Sequence, residues 1–391
     1  GPVRQRPPNR RKQHERDQLD GEKRGAGVDR AAASDGCDEF VDARIHQQLG
    51  EQDDEHHAGQ SGAFAVTHAP PLTLEVFVSR GSHCAGRIFP RPGQQPFMAL
   101  SVTVLGSGGN SPIPTPTCGC RVCERAREVG VPHARHGNSL YIEELSAMVD
   151  APEFVYENLE RERIDDLEYI LLTHWHPDHS AGLRVVQSRS MEAMFDDPDH
   201  GLVETARSDR PTLVTTRRVY ERTCEVYEGL RHFVEDIGFA DTHFLDEEPL
   251  TVADARIEAI PYSLSGDGDP DATAFVVERG DATLVLAVDD ARHLDESALP
   301  DDIDLAVFEC GYFPETPDGT RILTDVDDAI MSEELTHEEI LSRVRRVDAD
   351  HTLLTEIEHL YGRTYDDYCD LESSEGYDGV QFAYDGLERS V

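Results

Sequence analysis

Lysine is nearly missing from this chain of 391 residues: Lys12 and Lys23 are its only two. Positive charge of any kind is scarce, with 36 Lys and Arg against 78 Asp and Glu and a formal net charge of −42. Such a surface repels phosphate backbones, so no extended nucleic-acid partner is expected. No apolar run reaches 18 residues, so no membrane-spanning helix is expected. Eight cysteines are too few and too scattered for a disulfide scaffold. The early residues are rich in Arg and Pro and lack the apolar stretch of a secretory leader. The expected location is the cytoplasm.

The charge is unevenly spread. Of the basic and acidic side chains, 13 and 14 precede Met98, leaving 23 arginines against 64 carboxylates from there on. A dense carboxylate surface stays hydrated and soluble where salt screens its self-repulsion. The expectation is a protein adapted to a salt-rich cytoplasm of the halophilic archaeal kind. Residues 1–97 show no clear period and contain no methionine, whereas Ala99-Leu100-Ser101-Val102-Thr103-Val104-Leu105 reads as a strand directly after Met98. We read 1–97 as a disordered or non-native extension, with Met98 as the expected biological start, and 98–391 as one domain.

Within that domain apolar runs alternate with helical patterns. Strands are expected at 100–105, 139–142, 169–173, 213–216, 256–260, 273–278, 282–288, 304–309, 350–355 and 380–384, with one more ending at Val149-Asp150. Helices are expected near 153–162, 179–187, 217–230 and 336–346. Two β-rich halves with interleaved helices imply two packed sheets with helices outside. The turn Gly106-Ser107-Gly108-Gly109 lacks the GxGxxG spacing of a dinucleotide site.

The strand Tyr169-Ile170-Leu171-Leu172-Thr173 runs into His174-Trp175-His176-Pro177-Asp178-His179. Alternation sends His174 and His176 to one side, and Asp178 and His179 fall on the following turn. Imidazoles with a carboxylate suit zinc, iron or manganese, and the set can serve two adjacent ions. A second cluster, Cys118-Gly119-Cys120-Arg121-Val122-Cys123, offers three thiolates for a tetrahedral zinc that needs one further ligand.

The histidine run resembles the HxHxDH signature of the metallo-β-lactamase superfamily, whose fold is a four-layer αβ/βα sandwich of the α/β class. Met148-Val149-Asp150 resembles its strand-end aspartate, and Ala287-Val288-Asp289 the strand with its metal-bridging aspartate. The CxCxxC cluster, Leu354-Thr355-Glu356-Ile357-Glu358-His359 and Tyr384-Asp385-Gly386-Leu387 resemble the PhnP-like group, phosphodiesterases of phosphoribosyl cyclic phosphate. Pyrroloquinoline quinone biosynthesis proteins of this fold carry a similar Cys cluster. Two family histidines are replaced: one after Ile260-Pro261, where Tyr262-Ser263 stand, and one at Glu356.

The resemblance therefore implies one cleft ion on His174, His176 and Asp289, and another on Asp178, His179 and Asp289, with Glu356 as an oxygen ligand. Fewer imidazoles and more carboxylates lean towards manganese or iron over zinc, as one or two ions. His359 is implied as the fourth ligand of a structural zinc on Cys118, Cys120 and Cys123. Asp178 and His337 are the implied catalytic residues, His337 as general acid. The implied activity is hydrolysis of a small phosphoester through a metal-bound hydroxide. Rival expectations are a non-catalytic accessory protein and another hydrolase of the fold. A homodimer is compatible with the sequence, and His133 and His136 are read as solvated.

Overall fold

A computed structural model describes residues 99–196, 210–322 and 334–391, of which 191–196 are described by backbone only. The expectations for 1–97 and for a start at Met98 lie outside the described residues.

Among the described residues, fourteen strands form two seven-stranded mixed sheets. The first has the order β14-β1-β2-β3-β4-β5-β6. Its strands are β1 Ser101–Gly106, β2 Ser139–Ile142, β3 Ala147–Val149, β4 Tyr169–Leu171, β5 Thr212–Thr215, β6 Asp241–Phe244 and β14 Glu388–Ser390. The second has the order β13-β12-β11-β10-β9-β8-β7. It comprises β7 Leu250–Val252, β8 Ala255–Tyr262, β9 Ala272–Arg279, β10 Ala282–Ala287, β11 Leu305–Glu309, β12 His351–Thr355 and β13 Val380–Phe382.

The inner strands are apolar on both faces because each sheet is covered on both sides. In β10, Leu284 and Leu286 point into the core between the sheets, while Val285 and Ala287 point to the opposite face. In β1, Val102 and Val104 belong to that central core and Leu105 to the outer one. Helices α1 Arg121–Val129, α5 His337–Val347 and α6 Tyr365–Glu372 cover the second sheet. Helices α2 Val155–Glu162, α3 Val185–Asp196 and α4 Arg217–Val226 cover the first. The result is the expected four-layer α/β sandwich.

Several elements differ from expectation. The helix read at 179–187 is a single turn, Pro177–Ser180, followed by turns and then α3. The helix read at 217–230 breaks at Tyr227 and resumes as Glu228–Arg231. The short strands β6, β7 and β14 lack a legible alternation. The Cys loop runs into a helix: Cys120 is the N-cap of α1 and Cys123 lies in its first turn.

The strand pairs β3/β4, β10/β11 and β11/β12 are parallel. Parallel strands share one end, so the residues at or just beyond the ends of β3, β4, β10, β11 and β12 converge. Those residues are Asp150, His174, Asp289, Glu309 and Glu356. A bridge from His174 to Ala272, with Thr273 N–H donating to Thr173 O at 2.9 Å, joins the two sheets there.

Candidate metal centre

Asp150 organises the first sheet's contribution. It is fully buried and accepts hydrogen bonds from Thr173 N (2.8 Å), Thr173 Oγ1 (2.7 Å) and His179 Nδ1 (2.8 Å). With Nδ1–H held, the Nε2 face of His179 turns to the cluster, as for a histidine oriented for metal. His179 Nε2 lies 3.3 Å from Asp289 Oδ2, 3.6 Å from Glu356 Oε1 and 3.7 Å from Asp178 Oδ2. Donor atoms of Asp178, His179, Asp289 and Glu356 all lie within 4.8 Å of one another. A second group with the same spread holds His174, His176, Asp289 and Asp290. His174 Nε2 is 3.7 Å from Asp289, and His176 Nδ1 is 3.1 Å from Asp290. Asp289 is shared by both groups.

These donors suit cations and not one another. His174 Nε2, His179 Nε2 and Glu356 Oε1 are buried without a hydrogen-bond partner. An unsatisfied buried polar atom costs about 1–3 kcal/mol. Three at one point are accounted for by bound ions, so the residues present fit divalent metal.

The electrostatics agree. Burial, with the charge of Asp290 next, pushes Asp289 up to about 6. Burial and then Asp289 hold Glu356 and Glu309 well above the usual carboxylate range. Glu358 is pushed up to about 7, chiefly by burial. Burial, His179 and His176 hold His174 well below the ordinary histidine value. Burial acts on His179 in the same sense, but Asp150, Asp289 and Glu356 together outweigh it and hold it well above. Crowded carboxylates of this kind are relieved by positive charge.

The structure thus brings together every cleft ligand expected from the sequence, His174, His176, Asp178, His179, Asp289 and Glu356. It adds Asp290, which directly follows Asp289 and was not anticipated. Glu309, buried at the end of β11, accepts from Ala291 N at 3.1 Å and was not anticipated. Where the family histidine after Ile260-Pro261 is replaced, Tyr262 packs beneath the site and donates its hydroxyl to Asp289 O at 2.8 Å. Glu356 adopts a left-handed backbone (φ 56°), unusual for a residue with a side chain. Its position is fixed by Cys310 Sγ donating to its carbonyl at 3.3 Å and by Ile357 N–H donating to Ser107 O at 3.1 Å.

His337 requires a correction. It does not line the cleft; it is buried, its Nδ1 meets Cys310 O at 2.7 Å, and its Nε2 meets Tyr377 Oη at 2.6 Å. Its ring stacks on Phe313 with 4.2 Å between centroids. Both nitrogens are engaged, so the placement gives a packing role and not proton donation to a leaving group. His133 is buried rather than solvated, edge-on to Tyr365, and His136 stacks on Phe154.

Cys118, Cys120, Cys123 and His359 form a separate group with donor atoms within 4.8 Å of one another. Cys118 Sγ and Cys120 Sγ are each 3.8 Å from His359 Nδ1. Tetrahedral zinc with thiolate bonds near 2.3 Å separates its ligands by about 3.8 Å, so the four residues fit a closed structural site.

The cleft beside the first cluster has a volume of about 720 Å³ and is lined by His176, Asp178, Asp289, Asp290, Glu356 and neighbouring side chains. Residues 135–193 match the family model of the metallo-beta-lactamase superfamily. No curated protein matches the chain. Among solved structures, it is similar to a diphosphatase of the PhnP family, with 21% identity, a TM-score of 0.52, and coverage of 75% of this chain and 98% of that one. Zinc-bound PqqB from Methylobacterium extorquens is similar at 15% identity and TM-score 0.53, covering 74% of this chain and 99% of that one. The match over residues 135–193, the two-sheet sandwich and the likeness to these solved structures give the chain a metallo-β-lactamase fold.

Proposed function

We propose that the chain is a metal-dependent hydrolase of small phosphoesters, a phosphodiesterase in its simplest form. The observation that carries this is the convergence of buried, unpartnered His174 Nε2, His179 Nε2 and Glu356 Oε1 around Asp289 at the edge of an open cleft. Bound divalent ions would supply Lewis-acid polarisation of a phosphoryl oxygen and acidify water towards neutral pH. His174, His176, Asp289 and Asp290 would hold one ion, and Asp178, His179, Asp289 and Glu356 the other. Asp150 keeps His179 aligned through its Nδ1. Asp178 reaches both the ligand cluster and the cleft, where it can take a proton from water. The PhnP-family diphosphatase supports phosphoester chemistry on this fold.

The rival is an accessory protein without turnover, favoured by the loss of the family histidine at Tyr262-Ser263. The test is hydrolysis of bis-p-nitrophenyl phosphate in molar KCl with manganese, zinc or iron. Metal-dependent turnover lost in His176→Ala supports the hydrolase. Metal retention without turnover moves the accessory reading ahead.

A further inference from the structure

Asp289 and Glu356 follow β10 and β12, which are separated by β11, so their spacing depends on three strand ends and not on one strand pair. A side chain from the other sheet reaches those ends. Asn138 stands directly before β2 of the first sheet and is buried, with 1% of its surface exposed. Its Nδ2 donates to Val288 O at 3.4 Å and to Thr355 Oγ1 at 3.3 Å. Val288 and Thr355 are the residues immediately before Asp289 and Glu356. The Thr355 hydroxyl also lies 3.3 Å from Val288 O and 3.2 Å from Phe308 O, just before Glu309. One amide and one hydroxyl thus gather the ends of β10, β11 and β12. The next residue turns the other way, as strand alternation requires. Ser139 Oγ lies 3.0 Å from Val149 O and 3.0 Å from Asp150 O, at the end of β3. The pair Asn138-Ser139 therefore joins ligand-bearing strand ends of both sheets.

Stability alone does not explain an asparagine here. Its Oδ1 is buried with no hydrogen-bond partner among the described residues, and an unpaired buried carbonyl oxygen destabilises the folded state. A small apolar residue would avoid that penalty but would leave the strand ends untied. We infer that Asn138, acting through Thr355, is a positioning residue for the ion held by Asp178, His179, Asp289 and Glu356. That ion takes both of the ligands whose strand ends Asn138 touches. The ion on His174, His176, Asp289 and Asp290 takes only one of them. This deepens the metal-dependent reading above and rests on its assignment of two cleft ions.

The test reads metal binding and not turnover. Protein stripped of cleft metal, with its Cys site zinc-loaded, is titrated with manganese in molar KCl by calorimetry and by electron paramagnetic resonance of the free ion. The wild type should show two classes of cleft site. Asn138→Ala should weaken one class about tenfold and leave the other within about twofold, as loss of a group that orients a metal ligand does. Its melting midpoint without cleft metal should stay within about 2 °C of the wild type, because the amide is already short of one partner. Thr355→Val should give the same selective weakening, and it carries the test if Asn138→Ala does not fold. Thr355→Ser, which keeps the hydroxyl, should retain the wild-type affinities. Unchanged affinities in Asn138→Ala and Thr355→Val overturn the assignment. So does a loss spread evenly over both classes with a falling melting midpoint, the mark of a packing role, and so does a wild type with fewer than two classes. If the selective weakening appears but bis-p-nitrophenyl phosphate is never hydrolysed, the hydrolase reading fails and the positioning role stands.

Discussion

Asp150 touches no cleft-facing surface, yet at the end of β3 it accepts three hydrogen bonds, two from Thr173 and one from His179 Nδ1 that sets the orientation of that ring. Asp150→Asn retains the shape but cannot accept all three, and metal affinity at the cleft should fall about 10- to 100-fold. Titration with a metal-competing dye measures this; unchanged affinity would remove Asp150 from the account. Glu356→Gln should lose one equivalent of cleft metal and leave the fold and the Cys-bound ion intact. His337 makes a different prediction. Burial holds it down to about 4, whereas an unfolded chain has histidine near 6.5, about its ordinary value. Between those values the unfolded chain binds the proton and the native protein does not. The stability it contributes is therefore complete above pH 6.5 and is lost as pH falls towards 4. Melting midpoints between pH 7.5 and 5 should fall less steeply in His337→Gln than in the wild type. At pH 7.5 the variant should be less stable by about 1–3 kcal/mol, with turnover per folded molecule nearly unchanged. A selective loss of turnover would restore the general-acid role.

At the scale of elements, the connection after β10 carries Asp289 and Asp290 and is tied to α5 by Glu296. This carboxylate accepts from Arg346 Nη2 (2.6 Å), Arg346 Nε (2.8 Å) and Arg343 Nε (2.9 Å). Arg346 first, with Arg343, holds Glu296 down to about 2. The stability is present above the unfolded carboxylate value and is lost as pH falls through about 2. Because Glu296 is partly exposed, Glu296→Gln should cost on the order of 1–2 kcal/mol at neutral pH after solvent screening, read by denaturant melts. Equal stability at pH 7 would rule the tie out. The Cys site links other elements. His359 lies three residues after Glu356, and Gly109 sits so close that an added Cβ would approach Glu356 Oε2 and Glu358 Oε1 to 2.8 Å. Cys120→Ser should therefore lose its zinc and also weaken metal binding at the cleft, as elemental analysis would show.

The strands that position the site were legible because β1, β4, β10 and β12 are apolar runs ending in polar residues. The ligands were legible for the same reason: they stand where those runs stop. Asp290 and Glu309 were not, because a carboxylate in so acidic a chain carries no local signal. The short edge strands β6 and β14 were missed because pairing, not alternation, makes them. His337 was misread because its helix-start position shows nothing of the Phe313, Tyr377 and Phe382 rings that enclose it.

For the whole molecule, the excess of carboxylates over arginines predicts strong dependence on salt. The melting midpoint should rise between low and molar KCl as self-repulsion is screened; an unchanged midpoint would count against the halophilic proposal. The central claim is that Asp289 joins two groups of donors into a metal centre separate from the Cys site. It is tested most directly by elemental analysis of protein purified in molar KCl, comparing wild type, Asp289→Ala and Cys120→Ser. The account predicts that the wild type carries cleft metal in addition to one zinc, and that Asp289→Ala loses the cleft metal and keeps the zinc. A wild type whose entire metal content survives Asp289→Ala and disappears in Cys120→Ser would contradict it.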